Sequence, residues 1–314
     1  MRNAAILVYL FSACIVFEGK IFAQDSLARA GSIKDSIERS VDSVLADFRL
    51  MKVRQSFWLA DVNFLDNNVY LGRKDSIPSP YLTASVGYFH KSGLFINAST
   101  SYLLEAGQNR IDLSTIDGGY SLITKKFEGT FTISKYFFSP KSYNVRSEIE
   151  GSAQIFGAYD LGFIKPTLEA TLNFTEKTDY GGTIGLEHTF YTFQNDFTIT
   201  PTIVANGSTQ NYYNAYYKFR RYSLLRLKKV IGYVINAYVE NASQFKILDY
   251  EFSMPLDYSI KRFTISFSPT YAVPVNAAVV HATLTTLSGI TRTKIAKEKL
   301  KNSFFFTIGL AFSF

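Results

Sequence analysis

From about residue 53 to the C-terminus, hydrophobic and polar residues alternate one by one over long stretches. In 127–137, for example, Phe127, Phe131 and Ile133 fall on one face of an extended chain, and Glu128 and Thr132 fall on the other. The same alternation recurs in 93–102, 145–155, 166–174 and 262–271. Because successive side chains of a strand point to opposite faces, each stretch predicts a strand with one apolar and one polar face.

The length of these stretches indicates where the strands lie. They run for about ten residues or more, which suits a tilted strand that crosses a bilayer, whereas globular strands average about 5–6 residues. No stretch after the N-terminal segment approaches the ~18 apolar residues of a membrane helix. The pattern therefore predicts an all-β fold, an antiparallel up-and-down transmembrane β-barrel over 53–314, with its apolar face toward lipid.

About fourteen strands fit the pattern, and twelve fit if the first segment is unpaired. The predicted strands are 55–68, 80–89, 93–105, 111–123, 126–138, 144–158, 163–175, 180–193, 196–209, 229–241, 246–258, 261–274, 277–290 and 303–314. Short turns are expected on the periplasmic side at His90–Ser92, Thr124-Lys125, Tyr159–Gly162, Gln194-Asn195, Ala242–Phe245 and Val275-Asn276. The longer connections 69–79, 210–228 and 291–302 are expected outside, which places both barrel termini in the periplasm.

The N-terminal 52 residues read as two segments that precede the barrel. Arg2 and the apolar stretch 4–17, followed by Ala23, predict a cleaved signal peptide over 1–23 and export to the outer membrane of a Gram-negative bacterium. Lipidation of Cys14 and an uncleaved anchor are the alternatives. In 24–52, apolar residues recur every three or four positions, which predicts a periplasmic amphipathic helix and linker. Residues 25–49 would pack on the barrel mouth or on a periplasmic partner, or else enter the lumen as a plug.

Charged residues fall mainly on the predicted inward face. The lumen polar cluster is predicted to contain Glu128, Arg146, Glu148, Glu150, Lys165, Glu169 and Glu187. Glu148 and Glu150 are expected beside Glu169 on the next strand, with both cations close by. Such a cluster either selects cations in a water-filled channel or forms a hydrogen-bonded network that holds the barrel rigid.

Composition adds detail to this picture. The chain has 21 Tyr and 28 Phe, and residues near strand ends are expected in aromatic girdles at the membrane interfaces. These girdle residues are Tyr81, Tyr102, Tyr136, Tyr143 and Tyr258. The net charge of +7 is scattered except for the run Lys294, Lys297, Lys299 and Lys301, which predicts a solvated loop near anionic lipid headgroups and not a nucleic-acid site.

The residues that catalysis or metal binding would need are sparse. Cys14 is the single cysteine, and the three histidines have no second ligand at metal-binding spacing. No nucleophile-elbow, P-loop or paired-cysteine motif occurs. We therefore expect no enzyme activity, no metal and no cofactor. The one enzymatic alternative is a phospholipase-like arrangement around His188.

The C-terminal strand carries a resemblance to a known group. In 303–314, Phe304, Phe306, Ile308, Leu310, Phe312 and Phe314 alternate with other residues, and the chain ends on an aromatic side chain. This resembles the C-terminal signal of bacterial outer-membrane proteins and implies that the barrel-assembly machinery recognises Leu310, Phe312 and Phe314. Residues 68–73 and 91–95 also resemble mid-sized barrels of the Bacteroidetes type, a group with no assigned activity.

These observations leave three functional hypotheses. The first is a passive pore or transporter for small solutes in the outer membrane, surrounded by outer-membrane lipid. The second is a closed structural or adhesive barrel that acts through its extracellular loops and its N-terminal helix. The third is a channel for the uptake of hydrophobic ligands, which would need an apolar pocket in the lumen.

Overall fold

A computed structural model of the chain describes residues 55–74, 79–105, 107–142, 144, 146–192, 196–216, 233–286 and 291–314. The predicted signal peptide, the predicted helix of 24–52 and Tyr143 lie outside the described residues, so those predictions stand as predictions. Among the residues described, no helix is long and apolar enough to cross a membrane.

The described chain is almost entirely β-structure. Its strands are β1 (Phe57–Leu65), β2 (Val69–Tyr70), β3 (Arg73–Lys74), β4 (Tyr81–Phe89), β5 (Leu94–Leu103), β6 (Arg110–Ile123), β7 (Phe127–Phe138), β8 (Gly151–Tyr159), β9 (Lys165–Phe174), β10 (Asp179–Glu187), β11 (Phe190–Thr192), β12 (Phe197–Ile199), β13 (Thr202–Ser208), β14 (Tyr233–Val239), β15 (Lys246–Ser253), β16 (Leu256–Ile260), β17 (Phe263–Pro274), β18 (Val279–Thr286), β19 (Thr291–Lys297) and β20 (Ser303–Ser313). One short helix, α1 (Asn211–Tyr216), precedes β14.

Twelve of these strands, some in two pieces, close into an antiparallel barrel. The first strand, β1, pairs with β4 on one side and with the last strand, β20, on the other, and β20 also pairs with β17. β10 continues as β11, β12 as β13 and β15 as β16, since each pair of pieces shares its neighbours in the ladder. The predicted all-β barrel is confirmed with twelve strands, the second of the two predicted counts, whereas the first count, about fourteen, is wrong.

The two surplus strands belong to a separate sheet, here named the outer sheet. β14 and β18 fall within predicted strands 229–241 and 277–290, but they pair with each other and, through β18, with β19. The barrel does not need them, because β13 pairs directly with β15 and β17 pairs directly with β20. The expected reason for a count of twelve, an unpaired first segment, is also wrong, because β1 has two partners.

A row of prolines crosses three neighbouring barrel strands where the ladder is interrupted. The carbonyl of Pro201 accepts a bond from the His188 N–H at 3.3 Å. In the same way, the carbonyl of Pro255 accepts from Thr200 at 2.9 Å, and that of Pro269 accepts from Met254 at 3.1 Å. Proline has no N–H to return to the ladder. This proline row explains why β12 ends before β13 begins and why β15 ends before β16.

The barrel has two different ends. At the terminal end, where β1 begins and β20 ends, the described connections 90–93, 124–126, 160–164 and 261–262 are short. The loop end carries the long connections 66–80, 139–150, 209–245 and 275–302. Three predicted short turns are confirmed at the terminal end, and Gln194-Asn195 lies outside the described residues. Ala242–Phe245 and Val275-Asn276 lie at the loop end instead, because β14 and β18 are not barrel strands.

The outer surface of the barrel is apolar. Large hydrophobic side chains such as Val62, Ile96, Ile155, Leu168 and Ile184 are exposed on barrel strands, between 46% and 62% of their surface. Soluble monomers rarely expose an apolar band of this extent. The band therefore marks the surface that must be covered by something other than water.

Two of the predicted girdle residues lie on this outer surface. Tyr102 and Tyr258 are exposed, so their predicted orientation is confirmed. Tyr81 and Tyr136 are buried inside the barrel, so their girdle assignment is wrong. Each lies two positions from an inward polar residue, Thr83 or Ser134, and therefore points to the same face of its strand. A position near the end of a strand does not change this direction.

Candidate functional site

The interior of the barrel is lined by polar side chains that bond across neighbouring strands. The Thr83 and Ser101 hydroxyls are 2.8 Å apart, and the Ser99 and Thr115 hydroxyls are 2.6 Å apart. Each of these four residues lies on the inward face and is buried. The lumen wall is thus a ladder of hydroxyl groups, in contrast to the apolar exterior.

Several inward hydroxyls have no protein partner. The oxygens of Ser134, Ser253, Thr270 and Thr307 are buried and form no hydrogen bond with the residues that the structure describes. Buried polar atoms are almost always hydrogen-bonded, and water supplies the bond where protein does not. These positions therefore suit water inside the lumen.

A buried ion cluster lies in the lumen near the terminal end. Lys165 Nζ on β9 is 3.0 Å from Glu128 Oε1 on β7 and 3.2 Å from Glu187 Oε1 on β10. All three side chains are buried. Lys165 thus joins Glu187, its direct neighbour on the adjacent strand β10, to Glu128 on β7, which lies two strands away from β9.

The remaining residues of the predicted cluster do not join this site. Glu169 on β9 is half-buried and accepts a bond from the Thr171 hydroxyl at 2.9 Å. Glu150 is exposed and pairs with Lys135 at 3.2 Å on the outer surface. Arg146 and Glu148 lie in the connection 139–150 at the loop end.

The difference has a local cause. The predicted strand began at 144, whereas β8 begins at Gly151. Asn144 Oδ1 accepts the backbone N–H of Arg146 at 2.9 Å, and the N–H of Ser147 bonds to the carbonyl of Asn144. Asparagine favours such turns over strands. The turn removes Glu148 and Glu150 from the strand register, so the expected contact of these two residues with Glu169 is wrong.

At the loop end, apolar side chains close the mouth of the barrel. Inward residues of seven barrel strands meet residues of the long connections, of α1 and of the outer sheet in one buried cluster, here named the cap core. It comprises Leu65, Val69, Tyr81, Leu103, Leu113, Tyr136, Ile149, Tyr212, Tyr213, Ala237, Val239, Ala242, Ala272, Ala278, Val280 and Phe305. The polar lumen therefore ends beneath an apolar layer.

The β2–β3 hairpin folds inward across this mouth. Leu71 and Gly72 both have positive φ, +49° and +70°, as a two-residue type I′ turn requires. A Cβ at Gly72 would lie 2.8 Å from the Cβ atoms of Asp249 and Pro274. Glycine is thus needed both for its conformation and for the close approach of the hairpin tip to β15 and β17.

Arg73 fastens the hairpin in this position. Its buried guanidinium donates from Nη1 to the Leu248 carbonyl at 3.1 Å, and from Nη2 to the carbonyls of Val275 and Asn276 at 3.2 and 3.1 Å. Its Nε is 3.4 Å from Glu298 Oε2. One side chain therefore ties the connection after β1 to β15 and to the connection after β17.

Glu298 extends this fastening to α1 and the outer sheet. Its Oε1 accepts the Tyr213 hydroxyl at 2.6 Å, and its Oε2 accepts the Ala278 N–H at 3.1 Å. Arg146 adds a second contact, with its guanidinium 5.1 Å from the Tyr70 ring and 5.4 Å from the Tyr136 ring. Cation–π contacts at such distances are attractive. Three other loop-end connections, 139–150, 209–245 and 275–302, are thus joined to the hairpin.

Two ionisable groups of this end have shifted pKa values. Burial raises the pKa of the Tyr212 hydroxyl well above its ordinary value, so this tyrosine stays neutral. Partial burial also raises the pKa of the Asp66 carboxyl, although Asp66 accepts the Phe306 N–H at 2.7 Å. Asp66 lies at the base of the hairpin, so its protonation is coupled to the structure of the segment that folds across the mouth.

Sequence reasoning missed the roles of Arg73 and Glu298. Arg73 contacts a carbonyl 175 positions away in the chain, and no local pattern encodes such a contact. The available signal was Leu71-Gly72 within a connection rich in turn residues, which indicates a hairpin but not the direction in which it folds.

The residues of the predicted assembly signal lie on β20 and at the end of the chain. Leu310 and Phe314 are exposed, and the Phe312 ring lies 4.7 Å from that of Phe263. Phe314 forms two backbone hydrogen bonds with Trp58 on β1. The strand that closes the barrel thus ends in the residues predicted to be recognised, and their recognition by the assembly machinery remains a prediction.

Within the described residues, no group of three or more His, Cys, Asp or Glu side chains could hold a metal ion. His281 Nε2 instead lies 3.1 Å from Glu240 Oε2, and the His188 ring lies 4.5 Å from that of Phe190.

Comparison with known proteins finds similar solved structures, among them porins. No protein-family model matches the chain, and no curated protein matches it. A KdgM porin aligns with 82% of this chain and 99% of its own length, at 11% identity and a TM-score of 0.43. A NanC porin aligns with 81% and 98%, at 11% identity and a TM-score of 0.45. These values do not assign the chain to a family, so its function is inferred from its own residues.

Proposed function

We propose that the chain is an outer-membrane pore for small polar solutes that rests in a closed state, with the β2–β3 hairpin as its movable closure. The single observation that carries this proposal is the inward hairpin held by Arg73 above a polar lumen. The exposed apolar band suits the lipid that surrounds such a barrel. Membrane barrels place short turns in the periplasm, so the loop end would face outward.

The construction of the mouth supports a closure that moves. The hairpin is joined to the barrel by the connection 66–80, and its attachment to β15 and to the connection after β17 depends on Arg73 and its partners. The lumen below is polar and offers buried sites for water. A barrel with a purely structural role has no need for a hydrated interior, whereas a pore requires one.

The test is ion conductance of the purified, refolded full chain in planar bilayers. Wild type should conduct rarely. Arg73→Ala should raise the fraction of time in the open state at least about tenfold, since bonds to a charged group contribute about 1.5–3 kcal/mol each. A variant with 69–74 replaced by a short Gly-Ser linker should conduct continuously.

The matched control is Arg262→Ala, which removes the same charge from an exposed turn at the terminal end and should leave conductance at the wild-type level. If the linker variant folds and stays silent at all voltages, the pore proposal is wrong.

The second candidate is a closed structural or adhesive barrel. The cap core favours it, because apolar side chains buried in this way stabilise the closed mouth by about 1.5–3 kcal/mol each. Silence of every folded variant, together with a partner that binds the intact loop end, would favour this candidate over the pore.

A further inference from the structure

A polar cleft lies beside the cap core, outside the mouth of the barrel. It is formed by the connection between β9 and β10, by α1 and by the chain that follows β14, and its volume is about 640 Å³. The residues that matter for its chemistry are Lys177, Asn211, Tyr238, Asn241, Ser243 and Gln244. This volume falls within the range of about 300–1,000 Å³ that small-molecule sites occupy.

The floor of the cleft is fixed by hydrogen bonds. The Ser243 hydroxyl donates to Asn211 Oδ1 at 3.1 Å and accepts a bond from Lys177 Nζ at 2.6 Å. Asn211 Nδ2 also donates to the Thr178 carbonyl at 3.3 Å. Because these groups are held before any ligand arrives, little side-chain entropy is lost on binding.

The rim of the cleft has unused hydrogen-bonding capacity. Among the described residues, the Tyr238 hydroxyl and the side-chain amides of Asn241 and Gln244 have no hydrogen-bond partner. Each amide offers two donors and one acceptor oxygen. The Tyr238 ring is stacked on His281 at 4.8 Å, which fixes its plane, while half of its surface stays exposed.

We propose that this cleft binds a saccharide. Neighbouring sugar hydroxyls both donate and accept, which matches side-chain amides better than it matches cations or carboxylates. An exposed, fixed tyrosine ring suits the apolar C–H face of a sugar ring. Among the described residues that line it, the cleft has one lysine and no arginine, so these residues do not supply the forked donors that typically recognise phosphate. The proposal does not depend on conduction through the lumen.

The test uses the full chain in detergent micelles and titration calorimetry with neutral trisaccharides, uronic-acid trisaccharides and glycerol. We expect one saccharide class to bind with a Kd between about 1 μM and 1 mM. Tyr238→Ala and Gln244→Ala should each weaken binding about tenfold, and Tyr238→Phe should weaken it less because the ring remains. Lys177→Ala should weaken the binding of the uronic-acid trisaccharide more than that of the neutral trisaccharide, because it removes a positive charge as well as the bond to Ser243.

The control is Asn109→Ala, an exposed amide in another loop-end connection, which should bind like wild type. Folding of each variant is checked by resistance to proteolysis. The proposal is overturned if none of the saccharides binds at about 10 mM, or if binding survives unchanged in Tyr238→Ala and Gln244→Ala. Normal saccharide binding by a chain that never conducts would leave this site intact and reject only the pore.

Discussion

At the loop end, apolar side chains from barrel strands and connections pack into the cap core, whereas near the terminal end a lysine in the lumen is bound by two glutamates. The free energy of apolar packing depends on the apolar area removed from water, so another apolar surface that covers the same area can replace the original contact. A buried ion pair depends on each partner, because loss of one leaves the others uncompensated. The geometry of the terminal-end cluster thus depends on each of its members, whereas the cap core depends mainly on the area that it buries.

The strongest way to break the terminal end is to remove its cation. Lys165→Met removes a buried positive charge that contacts both Glu128 and Glu187, and it should destabilise the fold by about 3–5 kcal/mol. Urea unfolding in lipid vesicles measures this change. The triple variant Glu128→Gln, Lys165→Met, Glu187→Gln should recover most of the loss. Equal destabilisation of both variants would show that lysine packing, and not charge, matters.

The cap core should respond to volume and not to polarity. Tyr212→Ala should cost about 3 kcal/mol of unfolding free energy, because it opens a cavity in the core. Tyr212→Phe should be neutral or slightly stabilising, since the buried hydroxyl has no hydrogen-bond partner among the described residues. The same unfolding assay compares them. A large loss in Tyr212→Phe would contradict the apolar character assigned to the cap core.

The smallest expected effect is the pH dependence at Asp66. Its pKa is raised in the folded chain, so its stabilising contribution is fully present below the ordinary value of 3.8 and is lost as the pH rises through the raised value. Asp66→Asn keeps an acceptor for Phe306 N–H without the titration. Between about pH 3 and pH 7, wild type should lose stability relative to this variant, and parallel curves would reject the idea.

The sequence predicts the barrel wall better than its mouth, and the reason is physical. In 127–138, alternation fixes which side chains face inward, since a strand has only two faces. The same alternation occurs in β14 and β18, which belong to the outer sheet. Periodicity shows which residues share a face of a strand, but it does not show which strand is the pairing partner. The outer sheet could not be told from barrel strands for this reason.

The lumen cluster was partly predictable. Glu128, Lys165 and Glu187 lie on regular strands, so parity brings their side chains inward. Glu148 and Glu150 do not, because the turn at Asn144 delays the start of β8. Arg73 lay beyond prediction, since its partners come from distant strands that only the closed barrel brings together.

The proline row gives the barrel wall an uneven stiffness. Three neighbouring strands there lack N–H groups that would otherwise join the ladder, while the opposite wall, from β4 to β9, is continuous. A bilayer thicker or thinner than the apolar band strains the protein embedded in it. That strain would concentrate at the proline row, so elastic adaptation to membrane thickness would occur on one side of the barrel.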